Sequence, residues 1–282
     1  MTQSLRNALD VATDALRAAG LEDPRREARL LFGAALGVGT EALLGTPERL
    51  VENGERRQID ALVGRRAARE PAAYILGERE FWSLPFRVSR DTLIPRPDSE
   101  TLIEAALAGM AGRLASCRLL DFGTGSGCLL LALLSELPQA TGIGVDASWQ
   151  ALDVARGNAV RLGLSARARF LCGHWGRALT GGFDLIVANP PYIEDGEMAG
   201  LSPEITRYEP ASALTGGPDG MACYRALAPD LARLLNPTGL AVVEVGAGRA
   251  DAVAAIMAGP GLVERGRRRD LAGVERCILL QH

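Results

Sequence analysis

The chain has 282 residues, of which 48% are hydrophobic and 23% charged, and its formal net charge is −3. That length allows one large or two modest domains, and the balance of charge leaves no electrostatic footprint for gripping nucleic acid. All 31 basic residues are arginine, which excludes a Walker or Schiff-base lysine. Two histidines and five widely spaced cysteines argue against a His-based triad, a metal centre or a disulfide framework.

No apolar run reaches the ~18 residues of a membrane span. The opening Met1-Thr-Gln-Ser-Leu-Arg lacks the basic start and apolar core of a signal peptide. A cytoplasmic protein is expected.

The first part reads as helices. Leu5, Leu9, Ala12 and Leu16 share one helical face, with Gly20 as a stop. Asp23-Pro24 is an N-cap followed by proline at the first helical position, and that helix runs to about Gly37. A short helix follows Thr40, and another covers roughly Glu55 to Arg69 before Pro71. The first 80 residues hold 12 Arg against 13 Asp plus Glu, so this part is not a polyanion clamp. It is either an inert cap or a docking surface for a partner.

Gly77 to Ser89 is richer in aromatics and alternates as a hairpin does, with a turn over Ser83 to Pro85. Leu93-Ile-Pro-Arg-Pro-Asp-Ser-Glu100 follows. Two prolines around Arg96 make a rigid exposed corner, and Asp98 or Ser99 is placed to cap a helix running to about Gly112. The corner reads equally as a domain linker and as a loop lining a site.

From Arg118 the pattern becomes strand, helix, strand. Leu119-Leu120 leads into Asp121-Phe-Gly-Thr-Gly-Ser-Gly127 and an apolar helix to Leu137. Strands are expected at Thr141–Asp146, Ala168–Cys172 and Phe183–Ala188, with a helix from Ser148 to about Gly163. A helix over Asp219–Leu235, kinked or broken at Pro229, precedes a buried strand at Leu240–Val245. Arg249–Ala258 is a helix and Val274–Leu280 a final strand. Alternation of this kind argues for a mostly parallel, doubly wound α/β sheet.

In such sheets ligands sit beyond the carboxyl ends of the strands. Gly123, Gly125 and Gly127 permit positive φ and a close backbone approach there. The N–H groups of the loop and of the following helix would favour an anion. The spacing is Gly-x-Gly-x-Gly, and Cys128 stands where the dinucleotide fingerprint would place its third glycine. Asp146, at the end of the second strand, can accept from both hydroxyls of a ribose. A nucleoside with a carboxylate tail and no pyrophosphate fits both features, and S-adenosylmethionine is such a molecule. Trp175, after the third strand, is placed to stack on adenine.

The fourth strand is stopped by Asn189-Pro190-Pro191-Tyr192. Neither proline donates to a ladder, and Asn189 before a proline is pushed towards an extended conformation. The Asn189 carboxamide oxygen and the Pro190 carbonyl are then two fixed acceptors for a planar –NH2, with the Tyr192 ring available to cover its face. The bland reading is a turn with a capping asparagine. The full tetrapeptide after an apolar strand favours the functional one.

With loop, acid and hook in this order, the chain resembles the class I S-adenosylmethionine-dependent methyltransferases, and within them the HemK/PrmC family, the N5-glutamine methyltransferases of peptide chain release factors. The likeness covers nearly the whole chain. It is carried also by Glu80-Phe81-Trp82, the Pro95-Arg96-Pro97 corner, Tyr208-Glu209-Pro210, Ala213-Leu214 and Asp219-Gly220. The resemblance implies a Rossmann-like doubly wound sheet, mostly parallel with the last strand antiparallel. It also implies a helical substrate-docking domain at 1–76, a hairpin linker at 77–96 and a methyltransferase domain at 97–282. By it, Gly123, Thr124, Gly125, Ser126, Gly127, Asp146, Trp175 and Asn189 would contact S-adenosylmethionine. Asn189, Pro190, Pro191 and Tyr192 would hold the glutamine of a release factor's Gly-Gly-Gln loop, with Asn189, Pro190 and Tyr192 catalytic. Relatives commonly carry Asp where His174 stands, and a neutral imidazole can still accept through one nitrogen. A monomer without metal or nucleic-acid partner is expected. Two rivals remain: a nucleic-acid amino-methyltransferase using the same hook on adenine or guanine, and a methyltransferase-like scaffold without catalysis.

Overall fold

A computed structural model describes residues 3–110 and 116–282 of the chain. The expected helix end near Gly112 lies outside the described residues, as do Met1 and Thr2. The chain divides into two compact units, Met1–Gly77 with Ser202–Tyr208, and Glu78–Leu201 with Glu209–His282.

The smaller unit is helical. Helix α1 (Leu5–Ala18) is capped by the Ser4 hydroxyl, which accepts from the Asn7 amide, and it buries Leu5, Leu9, Ala12 and Leu16 on one side. Helix α2 (Pro24–Leu36) starts at Asp23, whose side chain accepts from the Arg26 amide, and ends at left-handed Gly37. Helices α3 (Thr40–Gly45) and α4 (Asn53–Ala67) follow, the second entered through a reciprocal Glu52–Glu55 capping box. Helix α5 (Ala72–Leu76) was not expected, because five residues are too few to display a helical period. Arg66 is buried and donates to Glu27 and to Glu204, while Arg69 reaches the other Glu204 oxygen. The Tyr208 hydroxyl donates to the Ala68 carbonyl at 2.9 Å. These bonds recruit the distant 202–208 segment into the helical unit.

The larger unit opens with a hairpin of β1 (Glu78–Phe81) and β2 (Leu84–Arg87). Its turn lies at Trp82 and Ser83, both with positive φ (52° and 55°), rather than over Ser83 to Pro85. Positive φ at both central residues is the conformation whose twist suits a two-residue hairpin. The Trp82 amide donates to Glu100 and its indole N–H to Glu136, which holds the strained turn in place. Phe81 and Phe86 meet edge to face and are buried with Leu102 and Leu129. The segment expected as a linker therefore belongs to the larger unit's core.

A 3₁₀ turn at Pro97–Ser99 leads into α6 (Glu100–Gly109). Neither Asp98 nor Ser99 caps this helix, contrary to expectation, because both side chains are committed to the sheet: Asp98 to Arg276 and Ser99 to Glu244. Then come β3 (Arg118–Phe122), α7 (Cys128–Glu136), β4 (Thr141–Asp146), α8 (Trp149–Arg161), β5 (Ala168–Cys172) and β6 (Phe183–Ala188). After α9 (Pro203–Tyr208) the chain builds α10 (Ala222–Leu234), β7 (Leu235–Glu244), α11 (Ala250–Ala258), β8 (Val263–Arg269) and β9 (Glu275–Gln281). Helix α10 runs unbroken through Pro229. Its buried face, Tyr224, Leu227, Ala228, Leu231 and Leu234, spans both sides of the proline, and burial of that size outweighs the ~3 kcal/mol cost of an interior proline. Strand β8, Val-Glu-Arg-Gly-Arg-Arg-Arg, escaped the sequence reading because it is a charged edge strand without apolar alternation.

Among the described residues, β3 to β9 form one sheet in the order β5-β4-β3-β6-β7-β9-β8. β5, β4, β3, β6 and β7 are parallel, and β9 runs antiparallel to both of its neighbours. The chain goes from β3 outward through β4 and β5, then returns to place β6 beside β3. Phe122 pairs with Ala188 at the ends of these two strands, so the glycine loop and the Asn-Pro-Pro-Tyr hook leave the sheet side by side. That is the switch point at which doubly wound sheets open a crevice.

Candidate functional site

A cavity of about 260 Å³ occupies this crevice. Gly123, Gly125, Asp146, Trp175, Asn189 and Pro191, all singled out from the sequence, line it. Asp91 to Leu93, with Pro210, Ser212 and Ala213, close it from two further segments. Glu209 binds the two loops together, accepting from Arg96 Nη2 at 2.6 Å and from the Ile94 amide at 3.2 Å. This is what the Pro-Arg-Pro corner does: through Arg96 it ties the loop that follows the cavity-lining Asp91–Leu93 to Glu209.

The glycine loop is shaped by its backbone. Gly123, Gly125 and Gly127 have φ of 69°, 55° and 82°, a region that costs residues with a Cβ. A Cβ on Gly127 would stand 3.1 Å from Leu131 and 3.2 Å from Ala155. Its amides, however, are not a free anion cradle. Gly123 and Thr124 donate to the Val145 carbonyl, Gly125 to Asp146 Oδ2 and Gly127 to the Thr124 carbonyl. So tight a turn engages four of the loop's own five donors, those of Gly123, Thr124, Gly125 and Gly127.

Asp146 accepts from Gly125 N–H on one oxygen and from Ser148 N–H on the other, both at 2.9 Å. Each oxygen keeps a second lone pair, enough for a diol. Thr124 is buried and donates to Asp121 Oδ2 at 2.6 Å, so it supports the loop from beneath, and Ser126 is buried as well. Asp121 itself is wholly buried, and its Oδ1 has no hydrogen-bond partner among the described residues. Burial raises its carboxyl pKa to about 7. An under-satisfied acid below the loop and Asp146 in the cavity wall together favour a ligand with positive charge.

Trp175 has φ of 49°, a strained conformation for a bulky residue. Asp230 holds the turn by accepting from the Gly176 amide at 2.9 Å. The indole meets the Phe122 edge at 6.2 Å, while exposed His174 lines the cavity beside it.

Asn189 is half-buried, and its Nδ2 donates to Ser99 Oγ at 3.1 Å. Ser99 Oγ in turn donates to Glu244 Oε2 at 2.6 Å. Pro190 is buried, and neither Pro190 nor Tyr192 belongs to the cavity's lining. The Tyr192 ring turns instead towards Gly246, where a Cβ would stand 3.0 Å from it, and it lies close enough to Glu244 for each to shift the other's pKa. Burial and the charge of Glu244 raise the Tyr192 pKa to about 12. The hook's exit is stapled by Ile193 N–H to the Leu214 carbonyl and Gly216 N–H to the Ile193 carbonyl.

Sequence reasoning missed three side chains of the site. Asn158 is fully buried on α8, accepts from the Arg87 amide and donates to the carbonyls of Arg87 and Ser126, tying the hairpin to the glycine loop. Ser99 was read as a cap. Glu244 carried a visible signal, an acid inside an otherwise apolar buried strand, which calls for a partner or a task.

The family described as PrmC N-terminal domain matches residues 7–77, and that described as Methyltransferase small domain matches residues 99–206. A release factor glutamine methyltransferase of Rhodospirillum rubrum is 47% identical over 271 residues, 96% of this chain and 83% of the relative. One of the same name from Bradyrhizobium diazoefficiens is 46% identical over 279 residues, 98% of this chain and 94% of the relative. The crystal structure of a methyltransferase from Pyrococcus furiosus shares the fold, with a TM-score of 0.51 at 15% identity, covering 79% of this chain and 96% of that one.

Proposed function

The chain belongs to the release factor glutamine methyltransferase family, and from that premise we propose that the β3–β6 crevice methylates a glutamine held by Asn189. The chain transfers a methyl group from S-adenosylmethionine to the side-chain amide nitrogen of the glutamine in a release factor's Gly-Gly-Gln motif. The observation that carries this reading is the adjacency of two things on one cavity: the Asp146-braced glycine loop and the Asn189 carboxamide.

The donor set fits the cofactor. Asp146 offers two lone pairs to the ribose hydroxyls, Trp175 and His174 flank the adenine position, and the under-satisfied Asp121 favours the cofactor's cationic end. When bound, the cofactor supplies an electrophilic methyl on its sulfonium. Asn189 Oδ1 and the Pro190 carbonyl accept the two amide hydrogens of the glutamine and so aim its nitrogen. A carboxamide nitrogen is a weak nucleophile because its lone pair is delocalised. Rate therefore depends on alignment and on fixed acceptors for the positive charge growing on nitrogen. Tyr192 contributes from behind the hook, through Glu244.

The helical unit is read as the docking surface for the release factor, the reaction as cytoplasmic and the enzyme as a monomer. The test mixes the protein with methyl-labelled S-adenosylmethionine and either a release factor or nucleic acid, and locates the label by mass spectrometry. Label on the Gly-Gly-Gln glutamine is expected. Label on a base would support the nucleic-acid reading, and no label on either would leave a binding scaffold.

A further inference from the structure

Asn189 can occupy its place in two orientations related by a half-turn of the carboxamide. One presents oxygen to the cavity and the other presents –NH2, which would oppose the –NH2 of a glutamine donor to donor. The group that touches the inward end is the hydroxyl of Ser99, at 3.1 Å. Ser99 is 3% exposed and its only proton points at Glu244 Oε2, 2.6 Å away, on a residue 2% exposed. An ionised carboxylate accepts only. With its proton spent there, Ser99 must accept from Asn189.

Resting on the glutamine reading above, we propose that Glu244 and Ser99 are positioning residues that set which end of Asn189 faces the substrate amide. Ionised Glu244 draws the Ser99 hydrogen, Ser99 Oγ holds Asn189 Nδ2, and Oδ1 is left towards the cavity as the acceptor. A protonated Glu244 reverses the logic. Its own O–H can donate to Ser99 Oγ, the Ser99 hydrogen is released, and it can then donate to Asn189 Oδ1, drawing the oxygen inward. The site would stand with –NH2 facing –NH2 and would not align the substrate.

The environment of Glu244 makes this switch accessible. Burial raises its pKa to about 7, the Ser99 hydrogen bond and the neighbouring Tyr192 phenol oppose that shift, and the charges of Arg276 and Asp98 act in opposite directions. Asp98 and Arg276 pair with one another at 2.8 Å, and Arg276 also binds Asp270. Cys128, Cys277 and Tyr224 face the same carboxylate and have pKa values raised above their ordinary range, so they stay neutral across it. The Tyr224 hydroxyl donates to the Glu244 carbonyl, fixing the backbone beneath.

The test uses the full chain with a release factor as methyl acceptor, from pH 5.5 to 9. The parent kcat should fall below a limb near pH 7, tracking Glu244. Ser99→Ala should lower kcat at least roughly tenfold while S-adenosylhomocysteine affinity, read by calorimetry, moves by no more than about twofold. Ser99→Thr, which keeps the hydroxyl, should recover most of the loss. Glu244→Gln should be slow and lack the limb. Independently of turnover, the side-chain ¹⁵N–¹H₂ signals of Asn189 should titrate with the same midpoint in the parent and stay flat in Glu244→Gln. An active parent whose Asn189 signals do not titrate, or a Ser99→Ala enzyme with parental kcat, overturns the relay and leaves the glutamine reading intact. A parent whose amide titrates but which methylates no glutamine overturns that reading and keeps the relay.

Discussion

Arg96 and Glu209, 113 residues apart in sequence, meet at 2.6 Å, and Glu209 is almost wholly shielded while Arg96 stays partly exposed. The pair joins two loops that wall the cavity. Glu209→Ala would strand Arg96 and the Ile94 amide. We expect a loss of about 2–4 kcal/mol in urea unfolding, somewhat less than for a fully buried pair because Arg96 keeps contact with water. KM for the protein substrate should rise with it. An unchanged midpoint and KM would deny the pair its role in the wall.

Asn189→Ala should reduce single-turnover methylation by at least about tenfold, since one buried hydrogen bond lost is ~1–3 kcal/mol and ~1.4 kcal/mol is tenfold in rate. Cofactor affinity should fall much less. A variant that turned over at the parental rate would refute the role given to its carboxamide.

Tyr192→Phe probes Glu244. The neighbouring phenol lowers the Glu244 pKa, so its removal lets that pKa climb. Activity at pH 8.5 should be largely kept, while the acid limb of the rate profile moves to higher pH. A limb that moved down, or a loss equal at every pH, would place the hydroxyl's work elsewhere.

Buried Asp121 and Glu244 also predict how stability responds to pH. Both have folded pKa values raised to about 7, well above their ordinary values of 3.8 and 4.5. Between roughly pH 4 and 7 the folded chain holds protons that the unfolded chain has released, so these groups make stability fall as pH rises through that window. Below it their contribution is constant. Asp121→Asn should flatten this slope and stabilise the ligand-free protein at pH 8, measured by denaturant midpoints, while weakening cofactor binding. A ligand-free midpoint lower than the parent's at pH 8 would contradict it.

The sequence spoke most clearly where a residue's own backbone chemistry decided the outcome. Pro190 and Pro191 had to end β6, the glycines after Asp121 had to turn, and the apolar period of α1 named its buried face. Asp146 was found because a strand end after a glycine loop has one usual use for an acid. What stayed illegible depends on partners far along the chain. Nothing near Ser99 told that its hydroxyl reaches Glu244 rather than the first turn of α6, and nothing near Tyr192 told that its ring faces Gly246. Strand β8 and helix α5 were lost for a different reason, the first because an edge needs no apolar stripe, the second because it is too short to show one.

The seven residues from Ser202 to Tyr208 make the helical unit discontinuous in sequence. A fragment stopping at Gly77 would deprive Arg66 of one of its two carboxylates and Ala68 of its phenol donor, whereas a fragment beginning at Glu78 would carry a strip of foreign surface. The two halves consequently cannot be traded as cassettes between relatives by a single splice. An exchange has to move two separate pieces of gene at once, and an insertion or deletion between Tyr192 and Glu209 is felt on both sides of it.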